Sequence, residues 1–204
     1  MKKFLKWVLI IFVVLIVIGY ISGKDKQTTS TTALSSSTTT EQPKKERVED
    51  SYPDQEKRFI QIVEHAISGS KASANDMQKG GVKADRTDAL CGLLKNKSVK
   101  DWVGKVDTVD SNSDGKGVLT IQLTRDISVK TWNNALSDIS DNTLLTPRTP
   151  IFNAASNLKK GDYVVFSGRF IADNESCIRE SSMGLSGGLE EPEFIFKFSE
   201  IAPK

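Results

Sequence analysis

The stretch from Phe4 to Ile21 most constrains what this chain can fold into, because it suits a bilayer rather than a globular core. From Trp7 to Gly23 there is no charge, and Val, Ile and Leu dominate. With Lys6 able to reach back to the headgroups, the run is just long enough for a spanning helix of ~20 residues. Lys2, Lys3 and Lys6 precede it as in a secretory signal, which is the competing reading. Signal cleavage needs small residues at the exit, yet Gly19-Tyr-Ile-Ser-Gly-Lys24 sets Ile21 and Gly23 where an Ala-x-Ala-like pair belongs. No Cys follows to accept a lipid. The sequence therefore predicts a single-pass anchor within residues 1–23, its apolar part spanning residues 4–23. Lys2, Lys3 and Lys6 outweigh Lys24 and Lys26, which Asp25 offsets, so the positive-inside bias leaves the N-terminus in the cytoplasm and exports the rest. A cleaved signal would export the same domain.

Residues 24–50 are rich in Ser and Thr, from Gln27 to Glu41, and end in the mixed-charge run Pro43-Lys-Lys-Glu-Arg-Val-Glu-Asp50. Such a segment has nothing to bury, so the entropy of ordering it goes uncompensated. It reads as a disordered tether holding a domain roughly 30 Å from the membrane on average. A glycosylated stalk is compatible with this composition. The sequons Asn96-Lys-Ser98 and Asn174-Glu-Ser176 matter only in a glycosylating host.

Residues 51–204 are about the modal size of one domain. The whole chain carries a formal +2, but from Asn96 onward 13 Lys and Arg face 15 Asp and Glu. That removes bulk polycationic attraction for nucleic acid.

A helical segment is expected over residues 51–97. Phe59, Ile62, Val63, Ala66 and Ile67 form a stripe of helical period, with Glu56, Lys57, Gln61 and Glu64 on the other side. This helix is expected to end at Ser68-Gly69. A second runs from Asn75 to Leu94, broken or kinked at Gly80-Gly81, with Leu90, Leu93 and Leu94 as its apolar face. His65, the single histidine, has no nucleophile or ligand partner near it in sequence and reads as a packing or surface residue.

From Lys100 the period changes to two. Trp102–Asp107, Val118–Thr124 and Ile127–Trp132 alternate as half-buried strands do, with Leu119, Ile121 and Leu123 on one inward face. A loop from Asn133 to Asn142, a short helix from Phe152 to Leu158, a strand ending near Phe170 and a last strand from Glu193 to Ser199 follow. Phe194, Phe196 and Phe198 should line the core. Three strands, a helix and two more strands is the order of a five-stranded OB barrel over residues 98–204, giving an α+β domain with the helical segment packed on it. Gly104 and Gly168 suit sharp bending or close backbone approach in such a barrel.

Asp101-Trp-Val-Gly-Lys-Val106 together with Leu158-Lys-Lys-Gly-Asp-Tyr-Val-Val-Phe-Ser-Gly168 resembles the OB-fold proteins of the tRNA-anticodon-like type, found as bacterial exported or membrane-attached domains of unknown function. The resemblance covers about residues 98–201. It implies the barrel and carries no binding residue across, because this fold hosts nucleic-acid, sugar and protein binding alike.

If the barrel uses the common OB face around its second and third strands, Thr120, Gln122, Thr124, Ser128, Lys130 and Trp132 point outward. Gln122, Lys130 and Trp132 are then the candidate ligand residues, with Trp132 beside Lys130 able to stack on a base or sugar ring. The alternative is that Trp132 packs beneath the N-terminal helices, which must bury their stripes somewhere.

Asp110-Ser-Asn112-Ser-Asp114-Gly115 reproduces the first six positions of an EF-hand loop, making Asp110, Asn112 and Asp114 candidate metal ligands. The twelfth position is Ile121, where a bidentate Glu is needed, and the same residues suit any hairpin turn. Cys91 and Cys177 are the chain's only cysteines, and in an oxidising compartment a pair is more often a disulfide than two thiols. A bridge would close 86 residues of separation, worth roughly 4 kcal/mol in the chain-entropy model as an upper figure.

The residues form no recognisable catalytic constellation. There is no phosphate loop and no Gly-x-Ser-x-Gly elbow, so catalysis would rest on Asp138, Asp141, Glu190, Glu191 or Glu193, acids placed in loops where solvation explains them. The sequence points to a non-catalytic, membrane-anchored module outside the cytoplasm that binds an envelope protein, glycan or small ligand, and needs no cofactor. The alternative is a secreted or periplasmic OB-fold protein binding a small ligand, glycan or cation. Ser181–Pro192 reads as a connecting loop or a ligand lip.

Overall fold

A computed structural model describes residues 51–204. The anchor over residues 4–23 and the tether over residues 24–50 lie outside the described residues. Among those described, no helix is long and apolar enough to cross a membrane.

Two helices open the domain, α1 (Asp54–Ala72) and α2 (Asp76–Leu93). Helix α1 buries Phe59, Ile60, Val63, Ala66 and Ile67 and leaves Ile62 half-buried, so Ile60 takes the place in the core expected of Ile62. It continues past Gly69 because the next residue is anchored: Ser70 is buried and donates to Glu190 at 3.1 Å. Helix α2 starts at Asn75, whose side chain accepts from the Gln78 amide as an N-cap. The helix is unbroken through Gly80 and Gly81, contrary to the expected break. A continuous helix keeps the backbone bonds of both glycines, which outweighs their poor helix propensity of about 1 kcal/mol each.

The barrel strands are β1 (Ser98–Ser111), β2 (Gly117–Gln122), β3 (Ser128–Lys130), β4 (Tyr163–Phe170) and a last strand over Glu193–Pro203. Between β3 and β4 lies α3 (Pro150–Ser156), entered through a Thr149 N-cap with Pro150 in its first turn. Between β4 and the last strand come a small hairpin, β5 (Ala172–Asp173) and β6 (Cys177–Ile178), and a short helix α4 (Leu185–Glu190); the last strand is therefore β7. The five barrel strands close in the order β1-β2-β3-β7-β4, with β3 and β7 parallel and the other pairs antiparallel. This is an OB-like barrel. Helix α4 lies within Ser181–Pro192, the stretch expected to be a plain loop, and the β5–β6 hairpin precedes it.

Closure brings backbones close. A Cβ at Gly104 would collide with Ile121 and the Gln122 carbonyl, and one at Gly168 with the Lys197 carbonyl, so both positions require glycine.

Inside, Phe194, Phe196 and Phe198 alternate inward along β7 as expected. Phe59 of α1 joins them, its ring 5.1 Å from Trp102, 5.2 Å from Phe170 and 5.2 Å from Phe194. Helices and barrel therefore share one core. Cys91 of α2 is bonded to Cys177 of β6, with Cα atoms 5.6 Å apart.

Candidate functional site

The outward side chains of β2 and β3 follow from their alternation. Leu119, Ile121 and Val129 fill the core, which turns Thr120, Gln122, Ser128 and Lys130 to the other face. Register then sets the neighbours: Gln122 lies opposite Ser128, Thr120 opposite Lys130, and Ser128 opposite Glu193 on the parallel strand β7. The chain turns tightly between β2 and β3, with the Leu123 amide donating to the Ile127 carbonyl at 3.0 Å, and this turn presents Arg125 and Asp126. Together these groups line a cleft of about 390 Å³, with Asp107 of β1 on one side and Glu193 on the other.

Four carboxylates line the cleft, and two of them, Glu193 and Asp107, are already committed, whereas Asp126 and Glu191 have no side-chain partner among the described residues. Burial pushes Glu193 up, but the Ser181 hydroxyl at 2.6 Å and the Lys130 ammonium at 3.0 Å more than offset it and hold the group below the usual carboxylate range. The Lys160 ammonium, 2.8 Å from Asp107, likewise holds that carboxyl low. By contrast, the side chains of Thr120, Gln122, Arg125 and Ser128 engage no hydrogen bond or ion pair among the described residues. The cleft thus offers an unengaged carboxamide, a guanidinium, two hydroxyls and the carboxylates of Asp126 and Glu191, beside the two fixed negative charges of Asp107 and Glu193.

Of the ligand residues expected from sequence, Gln122 lines this cleft. Lys130 stands beside it, bonded to Glu193 rather than lining it. Trp132 belongs to neither expected setting. It lies two residues beyond the end of β3, half-buried and outside the hydrophobic core, and donates its indole N–H to Asp141 at 2.8 Å. The tryptophan packed beneath α1 is Trp102.

Asp138 and Asp141 also differ from expectation. Both are buried, not solvated. Asp138 accepts from the Thr143 amide and hydroxyl and from the Leu144 amide, at 2.6, 2.7 and 3.2 Å, which folds the 133–144 loop around one carboxylate. Asp141 accepts from Trp132 and, through both oxygens at 2.8 Å, from one terminal nitrogen of Arg179. Glu190 is bonded to Ser70 and Lys79, and Glu191 is exposed.

In the hairpin between β1 and β2, the Asn112 carboxamide oxygen accepts from the Asp114 amide at 3.0 Å and the Lys116 amide at 2.9 Å. The Asp110 carboxylate accepts from the Ser111 amide. The turn's own backbone occupies the oxygen that a cation would need from Asn112, so these residues act as an Asx turn. Among the described residues, no group of three or more His, Cys, Asp or Glu side chains is disposed to hold a metal.

His65 is exposed and lines a separate groove of about 360 Å³ between α1 and α2, with Arg58, Ile62, Val82 and Asp85. Arg125 and Asp107 escaped the sequence reading. Arg125 sits in a turn with no periodicity to place it, whereas Asp107 could have been found by extending the β1 alternation past Val106.

No family model, no curated protein and no solved structure matches this chain.

Proposed function

We propose that this chain is a non-catalytic binding module of the tRNA-anticodon-like OB type, anchored in the cell membrane through residues 4–23, that presents the β2–β3 cleft outside the cytoplasm to a small polar ligand or glycan. One observation carries the reading: Thr120, Gln122, Arg125 and Ser128 converge on one concavity of ligand size without a side-chain partner among the described residues, and unengaged polar groups in a cleft are what a ligand satisfies. Of the five acids on which catalysis could rest, Asp138, Asp141, Glu190 and Glu193 are committed to hydrogen bonds and ion pairs and only Glu191 has no side-chain partner among the described residues; this supports the non-catalytic part, since a general acid or base must be free to exchange its proton with substrate.

A photo-crosslinking residue placed at Gln122 of the full-length chain in intact cells tests the site. Adducts at position 122 that vanish on adding Ser128→Trp, with none when the same photo-crosslinking residue replaces exposed Ser113 on the hairpin, are the expected result. Equal adducts at both positions would reject the cleft. Alkaline carbonate washing of membranes tests the anchor separately: the chain stays in the pellet if residues 4–23 span the bilayer and is released if they are cleaved.

A further inference from the structure

The opposite side of the barrel carries a second feature. Across β1, β4 and β7 the register sets Ser98 opposite Arg169 and Arg169 opposite Lys197, so one outward row crosses three strands and places two like charges side by side. Lys100 sits in the irregularity of β1 between Val99 and Trp102, beside that row. Lys100, Arg169 and Lys197, with Ser98, Ser167 and Ser199, line an open groove of about 500 Å³ in which Glu200 is the one carboxylate. Lys97, at the foot of β1, joins Arg169 in the adjoining hollow, whose one carboxylate, Asp141, is held by Arg179 and Trp132. None of these four cations takes part in an ion pair among the described residues. Like charges directly opposite on neighbouring strands destabilise a sheet, and here no carboxylate lies within ion-pair distance of either among the described residues. In a segment with more acids than bases, this is a segregated positive face.

We propose that this face, through Lys97, Lys100, Arg169 and Lys197, docks the domain on anionic phospholipid headgroups. The geometry favours a lipid surface over single-stranded nucleic acid, which needs exposed rings for base stacking. The aromatics behind this groove, Phe166, Phe170, Phe196 and Phe198, are all turned into the core. Phosphates spread across a plane match cations spread across an open sheet face. The proposal rests on the anchor only for proximity, a short tether keeping the headgroups at high effective concentration.

The test inserts the full-length chain into vesicles and follows amine labelling of individual lysines. In vesicles containing about one-third phosphatidylglycerol, Lys97, Lys100 and Lys197 should label about threefold or more slowly than in pure phosphatidylcholine, while exposed Lys160 labels at the same rate in both. About 0.5 M salt should abolish the difference. Arg169→Glu, an exposed position, should abolish it without salt. Carbonate resistance of the same vesicles reads insertion independently of docking. Equal labelling in the two vesicle types overturns the proposal. So does protection conferred by added polyphosphate or a dT20 oligonucleotide but not by phosphatidylglycerol, which would assign the face to a soluble polyanion.

Discussion

Glu56 stands in the first turn of α1 with its side chain fully enclosed, accepting the Val103 amide of β1 at 2.9 Å. Burial dominates its titration and moves its pKa from 4.5 to about 8, the Val103 hydrogen bond and the charges of Lys204 and Lys57 offsetting only part of this. Between those two values the folded chain holds a proton that the unfolded chain has lost. Stability is therefore greatest below pH 4.5 with respect to this group, falls as pH rises to about 8, and levels off above it. Glu56→Gln keeps an acceptor for Val103 and has no proton to lose. Denaturant titrations should find the variant more stable than the parent at pH 8.5, by up to ~4 kcal/mol, and close to it at pH 4.5. Arg86 poses the complementary case. It is buried on α2, donates to Glu180 at 2.6 Å and to the Gly188 carbonyl at 2.7 Å, and lies 5.8 Å from the Phe194 ring centroid. Burial pushes Arg86 down and Glu180 up, while each partner's charge opposes that shift. Arg86→Met alone strands a buried carboxylate and should cost about 3–5 kcal/mol in an unfolding titration, whereas adding Glu180→Leu should recover most of that loss. Glu56 was expected on the polar side of α1 but is buried: it precedes Phe59 by three positions, as Arg86 precedes Leu90 by four, so each lies on its helix's buried face. Their partners, 47 and 94 residues away, had no local signal.

At the scale of elements, alternation placed the strands well where a whole face is buried, as on β2 with Leu119 and Ile121 and on β7 with its three phenylalanines. It failed at strand ends. The third strand stops at Lys130, short of Trp132, because Trp132 is drawn to Asp141 and its amide to the Thr143 hydroxyl instead of continuing the ladder. Strand β7 runs on to Pro203 because β4 supplies partners as far as Val164. Helix α2 shows the converse, a local signal overruled. Gly80 and Gly81 are exposed within it, and a Cβ at either would meet nothing within 4 Å. Gly80→Ala and Gly81→Ala should each raise stability by about 0.5–1 kcal/mol, read as a higher melting midpoint, since alanine removes the backbone entropy without any contact to displace. A lower midpoint would mean that the helix bends there in solution.

For the whole molecule, the disulfide and the Arg86–Glu180 pair fasten α2 to the segment between β4 and β7, and Phe59 fastens α1 to the barrel interior. Replacing Cys91 and Cys177 by serine should lower unfolding stability by ~2–4 kcal/mol, and the unreduced parent, once denatured, should show no reactive thiol. What the sequence by itself determined is what acts over a few residues: two helices, the strand order of an OB-like barrel, an inward aromatic row, and a cysteine pair with only each other to join. The tertiary structure alone decided that Glu56 and Arg86 are buried, that Asp138 and Asp141 hold a loop rather than face water, and that Gln122 and Ser128 meet Arg125 in one cleft. The reason is physical. Backbone preference and hydrophobic period are properties of neighbours along the chain, whereas desolvation and hydrogen bonding of a polar side chain depend on which distant element arrives beside it.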